Sequence, residues 1–179
     1  MSITLSIRRA QRLNDIAVSF SKDGVDFIST QKNSLTREEF TELLDISRWH
    51  MTRTLILCNT NLSSTNLSGL DIRNVSFLNV DFQKTKFVGS SFNFVSFENA
   101  FMFNSNFSES KWKHVIVSKS NMSHSKMDGI KMSNVKLLGG TNMFGIKTDI
   151  EGIMHILRCD RKDTIHMEIW YGDNLKYIG

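Results

Sequence analysis

Three groups of side chains in this chain of 179 residues could do chemistry. The first is a thiol with neighbours: His155, Cys159 and Asp160 lie close together, and a cysteine beside an imidazole is a potential nucleophile. The same residues also read as an ordinary cysteine near a helix end, the reading the sequence favours. The second is a histidine pair, His114 and His124, which could ligate a metal if the fold brought them together. The third is made for binding: the cations Arg73, Lys111, Lys113 and Lys131, and the aromatics Phe94, Phe101 and Phe103. Cationic clusters attract acidic partners or anionic headgroups, and exposed aromatics close together mark contacts. No Gly-rich phosphate loop, zinc-ligand spacing or nucleophile motif occurs. The sequence therefore predicts no catalytic residue, no cofactor and no metal, and the chain reads as a non-enzyme.

The elements that position these side chains are set by an unusual period. From Leu57 to Leu137 every fifth residue is apolar, seventeen times without a miss. With 40% of the chain apolar, chance gives that run in a fixed frame a probability on the order of 10⁻⁷. Five is neither the helical period of 3.6 nor the strand period of 2, and short fixed periods point to a solenoid. Two residues before each large apolar residue runs a second series, nearly all small or β-branched, from Leu55 and Thr60 through Val135 to Gly140. A spacing of two puts both on one side of an extended backbone, facing inward. Sorted in steps of twenty, the small positions fall into columns such as Leu55, Val75, Val95, Val115 and Val135. That secondary period means four units per coil and a square cross-section. The corner columns hold Asn59, Asn79 and Asn99, or Gly69, Gly89 and Gly129, residues that tolerate positive φ. Proline, which would delete ladder donors, is absent.

Units such as Thr60-Asn61-Leu62-Ser63-Ser64 and Thr65-Asn66-Leu67-Ser68-Gly69 resemble the pentapeptide-repeat family over about half the chain. The resemblance implies an all-β fold, a right-handed quadrilateral β-helix of about four coils. Both open ends need capping segments of mixed α and β character.

The columns sort the candidate residues. His114 and His124 fall on opposite faces and cannot share a metal. Lys111 lies directly over Lys131 on the face that also carries Arg73 and Lys113, and like charges at coil spacing repel. Phe101 and Phe103 flank inward Met102 and point outward, with Phe94 at a nearby corner. Outward Leu78, Ile116 and Leu138 suggest a strip on which a flanking helix docks.

The flanks break the pattern, giving segments 1–54, 55–141 and 142–179. In the first, two alternating runs joined at Asp23-Gly24 predict a β-hairpin. Thr36 with Glu39 then has capping-box spacing ahead of the stripe Phe40, Leu43, Leu44 and Ile46. The frame is lost at Gly139-Gly140. Beyond it, Thr148 and Glu151 suggest a second capping box, with Ile150, Ile153, Met154 and Leu157 on one helical face. Asp160 to Asp163 reads as a turn, and Thr164 to Tyr171 as a strand that closes the last coil or meets a partner, including a second copy of the chain.

No apolar stretch is long enough to span a membrane and no secretory signal peptide opens the chain. Cys58 and Cys159 are expected reduced, since a bond between them would cross the rod. The formal charge is +4, and the repeats between 55 and 141 carry nine Lys or Arg against five Asp or Glu. That sign argues against DNA mimicry and topoisomerase protection, a function of some pentapeptide-repeat proteins that needs an acidic surface.

A hairpin and helix leading straight into the coils resemble enterobacterial type III secreted effectors of the PipB kind, as does the opening Met1-Ser-Ile-Thr-Leu-Ser-Ile. The scarcity of proline and the abundance of Asn, Lys, Ser and Ile fit a horizontally acquired bacterial gene. The resemblance implies a protein made in the bacterial cytoplasm, secreted into host cells, and used as a scaffold on a host protein or an anionic membrane. Larger relatives join such a β-helix to a HECT-like ubiquitin ligase, so a substrate-recruiting module is the alternative, although this chain ends too soon for that catalytic domain.

Overall fold

At every fifth residue from Asn59 to Asn134 the backbone turns through a positive φ, and these corners fold the chain into a square coil. The computed structural model describes residues 17–22, 25–30, 32–49, 53–161, 166–171 and 174–177. Twenty residues complete one coil: Leu57, Phe77, Phe97, Val117 and Leu137 are register partners in successive parallel pairs. The result is a β-solenoid of about four turns with a helix at each end.

Two adjoining sides of each coil form continuous strands: β3 (Arg53–Cys58), β4 (Asp71–Leu78), β5 (Ser91–Glu98) and β6 (Lys111–Ser118), then the shorter β7 (Lys131–Ser133) and β8 (Lys136–Leu137). The other two sides touch their neighbours through single bridges, Asn61↔Asp81↔Phe101↔Asn121 and Asn66↔Lys86↔Asn106↔Lys126. Residues on adjacent coils therefore sit about 4.8 Å apart, as in any sheet.

The inward pair of each unit builds the core. The large series is buried throughout except for half-buried Met132, and Phe77 stacks on Phe97 with centroids 5.0 Å apart, as Phe87 does on Phe107. The small series has a second task. Thr85, Ser90, Ser105 and Ser125 donate their buried hydroxyls to carbonyls of the preceding coil at 2.6–2.8 Å. Asn or Asp at the next position closes several units: Asn61, Asp81, Asn106 and Asn121 accept through Oδ1 from the backbone N–H two residues on.

At the N-terminal end, β1 (Ala17–Lys22) and β2 (Val25–Thr30) form the expected hairpin, with Lys22 paired to Val25. The turn residues Asp23 and Gly24 lie outside the described residues. β2 adds in parallel to β3. α1 (Arg37–Trp49) opens with the predicted box: Thr36 N–H donates to Glu39 Oε2 at 3.0 Å, and Glu39 N–H to Thr36 Oγ1 at 3.2 Å. Its buried Phe40, Leu43 and Leu44 lie over the first coil, with Phe40 against Phe77.

The C-terminal end departs from the sequence reading in four ways. The frame shifts by one residue instead of ending: Asn142 bridges to Asn121 and Lys147 to Lys126, so β9 (Asn142–Lys147) continues the coil. Gly140 is consequently an exposed corner, and Thr141 takes the inward place, its Oγ1 directed to Val117 O. The cap of α2 (Ile150–Leu157) is Asp149, whose Oδ1 accepts from Gly152 N–H, while Thr148 donates to Met127 O as an inward hydroxyl. The helix buries Gly152 and Ile156, and leaves Ile150 and Met154 exposed. Finally, Asp160–Arg161 is a short strand, β10, paired with β8, and not part of a turn. β11 (His166–Tyr171) joins β9 in parallel and β12 (Asn174–Tyr177) in antiparallel.

Alanine in a helix interior is ordinarily favoured over glycine by about 0.8–1.0 kcal/mol. At Gly152 a Cβ would fall 1.9 Å from Thr148 Oγ1 and 3.2 Å from Met127 O, the two atoms already joined by a hydrogen bond. Gly152→Ala should therefore lose about 1–3 kcal/mol in urea unfolding, with the sign reversed from helix propensity.

Candidate functional site

The strands β4 to β7 carry the cationic candidates on outward positions of one side. Their register makes two columns, Asp71–Ser91–Lys111–Lys131 and Arg73–Asn93–Lys113–Ser133. All four cations proposed from sequence thus line one groove of about 340 Å³, together with Asn93. Lys111 and Lys131 are direct register partners, so their stems start about 4.8 Å apart.

The four are not electrically equivalent. Arg73 is held by Asp71 through Nε at 2.9 Å and a terminal nitrogen at 2.8 Å. That hydrogen bonding, with the carboxylate charge, raises its pKa further. Arg48 of α1 approaches the same carboxylate at 3.9 Å and donates to the Asp71 carbonyl. Among the described residues no carboxylate pairs with Lys111, Lys113 or Lys131, and all three are exposed. The free charge of the groove therefore sits on its lysines. Asp71 stands two residues before Arg73 on the same side of the strand, a relation legible in the sequence and overlooked.

Beneath the lysines lies Trp112, 1% exposed and packed on Phe92 and Phe107. Its Nε1 and the Oδ1 of Asn93 are both buried without a hydrogen-bond partner.

At the next corner Phe94 is 58% exposed with φ +55°, a left-handed conformation that bulky side chains rarely adopt. Asn74, His114 and Asn134 occupy the same column in the same conformation. Phe94 stacks on His114, centroids 4.5 Å apart and rings 5° from parallel, and the pair lines a hollow with Thr54 and the exposed Ile116.

The other aromatics lie elsewhere. Phe101 is exposed beside Asn61, Asn79 and Asp81. Half-buried Phe103 meets the His124 ring edge-on at 5.6 Å, and His124 meets exposed Phe144 at 5.7 Å. The side built on Phe97 separates Phe94 from Phe101, so the three phenylalanines do not make one patch. Phe144 escaped the sequence reading because it follows the one-residue shift. Leu78 and Leu138 are half-buried and Ile116 exposed, and among the described residues no helix docks along them.

The chemical candidates stay apart. His114 and His124 each pair with a phenylalanine, and among the described residues no group of three or more His, Cys, Asp or Glu could hold a metal. Cys159 Sγ lies 3.3 Å from the backbone carbonyl of His155 and 3.6 Å from Met132 Sδ, within hydrogen-bonding reach of both. Burial pushes the Cys58 thiol up, the opposite of activation. Neither cysteine forms a disulfide among the described residues.

No family model matches the chain, and no curated protein matches it. Solved structures resemble it in part, among them three pentapeptide repeat proteins. HetL of the cyanobacterium Nostoc, involved in heterocyst differentiation regulation, is 16% identical over 52% of this chain and 48% of its own, with a TM-score of 0.41. Rfr23 of Cyanothece is 18% identical over 54% and 58%, with a TM-score of 0.33. A protein of the Arabidopsis thaliana thylakoid lumen is 20% identical over 49% and 60%, with a TM-score of 0.35. The matches thus take in about half to three-fifths of each of these proteins.

Opposing Lys111 to Lys131 across a ladder is destabilising, whereas an opposite-charge pair contributes about 0.2–1 kcal/mol. Lys111→Glu should therefore raise the unfolding free energy by that order at low ionic strength. The gain should shrink with added salt as screening grows.

Proposed function

We propose that this chain is a non-enzymatic interaction scaffold, a stiff four-sided rod whose outer side chains recognise an acidic protein surface or an anionic membrane. The observation that carries the reading is the set Lys111, Lys113 and Lys131: neighbours on one ladder, exposed, with no carboxylate partner among the described residues. Stacked lysines work against the fold, and groups that do so mark functional surfaces. A substrate-recruiting module of a ligase system is the second reading, and the engagement of Cys159 by a backbone carbonyl weighs against thioester chemistry within it. The excess of cations in the repeats weighs against protection of topoisomerases. The expected outcome is that Lys111→Glu with Lys131→Glu, and Phe101→Ser with Phe103→Ser, keep the β-sheet circular dichroism of the parent and lose partner recovery in a pull-down. Unchanged recovery with both doubles would sink the scaffold reading.

Delivery into host cells by a type III secretion system is the finer form of this proposal. It rests on the opening Met1 to Ile7 and on composition. A reporter enzyme fused behind residues 1–54 should reach the host cytosol from a secretion-competent strain and not from an isogenic strain lacking the apparatus. Retention of the fusion in both strains overturns it.

A further inference from the structure

We propose that the groove between Lys111, Lys113 and Lys131 binds a phosphorylated polyol headgroup displayed on a membrane, with Phe94 entering the interface beside it. The proposal rests on the scaffold reading and names its ligand.

The charge comes first. Lys111 and Lys131 are adjacent across the ladder, and Lys113 follows Lys111 by two residues on the same side of the strand. Strand geometry puts the three backbone positions within about 5 by 7 Å. One small anionic centre fits within reach of all three ammonium groups. A carboxylate brings one negative charge to that centre, whereas a phosphomonoester brings about 1.5 to 2 with three acceptor oxygens. The match of charge and acceptors favours phosphate.

The second observation concerns what else the ligand carries. Asn93 stands in the column between Arg73 and Lys113 and lines the same groove, with its Oδ1 buried and without a partner. Such an acceptor is costly when left unmade. The atom has no exposed surface, so a turn of the Asn93 amide toward the groove is what brings it within reach of a polyol hydroxyl. Arg73, committed to Asp71, frames the groove without competing for the phosphate.

The third observation chooses the source. The residue after Asn93 is Phe94, 58% exposed and held at a left-handed corner whose column otherwise holds the polar Asn74, His114 and Asn134. Ile116, 39% exposed, lines the hollow beside it. Phe94 at the corner beside a cationic groove, with Ile116 in the hollow beyond that corner, suits the boundary between headgroups and acyl chains, where apolar area and electrostatic attraction add. A soluble sugar phosphate or a nucleic acid backbone would not need them in this place.

Sedimentation with phosphatidylcholine vesicles tests the proposal, using the full chain. Vesicles doped with phosphatidylinositol monophosphate should pull the protein down, and vesicles with phosphatidylserine at matched surface charge should do so much less. Lys111→Gln with Lys131→Gln removes like charges and folds without repulsion, and should weaken vesicle binding about tenfold or more, at about 1 kcal/mol per lysine. Phe94→Asn adopts a residue of the same column, and should weaken vesicle binding while leaving competition by soluble inositol phosphate unchanged. Equal binding to both anionic lipids overturns the headgroup assignment. Binding of soluble inositol phosphate without vesicle binding overturns the membrane source. Failure of every vesicle while an acidic peptide or RNA binds with the same lysine dependence overturns the inference and leaves the scaffold reading standing. Loss of partner recovery and vesicle binding can thus fail separately.

Discussion

Everything in this rod follows from in-register parallel stacking at a twenty-residue repeat. Backbone amides along the sides of one coil bond to the coils before and after it, as where Leu62 N–H meets Asp81 O at 2.8 Å and Asp81 N–H meets Thr60 O at 2.9 Å. Once that ladder forms, every side chain lies over its counterpart one coil away. A residue is then selected for tolerance of a neighbour of its own kind. Phenylalanine passes, because offset rings attract at about 5 Å separation. Asparagine passes, because its amide both donates and accepts: Asn99 Nδ2 reaches Asn79 Oδ1 at 2.6 Å, and Asn79 Nδ2 reaches Asn59 Oδ1 at 3.1 Å. Buried Thr85, Ser90, Ser105 and Ser125 pass because the carbonyl of the preceding coil accepts from them.

The same constraint makes the ends of the stack expensive, since an open coil would leave its ladder unmade. The two ends solve this differently. At the first coil a whole strand and a helix are laid on: β2 continues the sheet and α1 covers the core with Phe40. At the last, an extra residue at Gly140 and Thr141 shifts the frame. Thr148 keeps the hydroxyl-to-carbonyl bond of the repeats, and Asp149 turns the chain into α2. One carboxylate does two tasks there, with Oδ1 capping Gly152 and Oδ2 accepting from Gly129 of the preceding coil at 2.7 Å.

How much of this was legible in the sequence depends on how far each feature is periodic. The coil, its four sides and the grouping of Arg73, Lys111, Lys113 and Lys131 follow from counting, because register is invariant under steps of twenty. The box of Thr36 and Glu39 is a local signal and was equally readable. The features missed are those set by a single contact. Thr148 and Asp149 both look like caps, and only the inward role of Thr148 decides between them. The apolar face of α2 was read only in part, with Ile153 packed on the core but Ile150 and Met154 exposed, for a related reason: glycine is invisible to a hydrophobic pattern, yet Gly152 is where the helix comes closest to the coil. Phe94 and Phe101 looked like neighbours by residue number, and only the corner between them puts a whole side of the rod in the way.

The lysine groove belongs to a wider asymmetry that the ladder alone does not require. Residues 111–147 hold seven lysines and the single acid Asp128, whereas residues 55–110 hold three cations and four acids. The core changes over the same span. Stacked phenylalanines fill the earlier coils, and Met122, Met127, Met132 and Met143 fill the later ones. Methionine packs without a fixed shape and yields more readily than a ring stack. A second like-charge step, Lys126 to Lys147, occurs on the adjoining side in these same coils. Repulsion on the surface and a softer core are therefore gathered at one end, while the aromatic core and the Asp71–Arg73 pair sit toward the other. A structural rod would gain by spreading its lysines among its acids. Concentrating them makes sense when one end of the rod supports the stack and the other meets an anion.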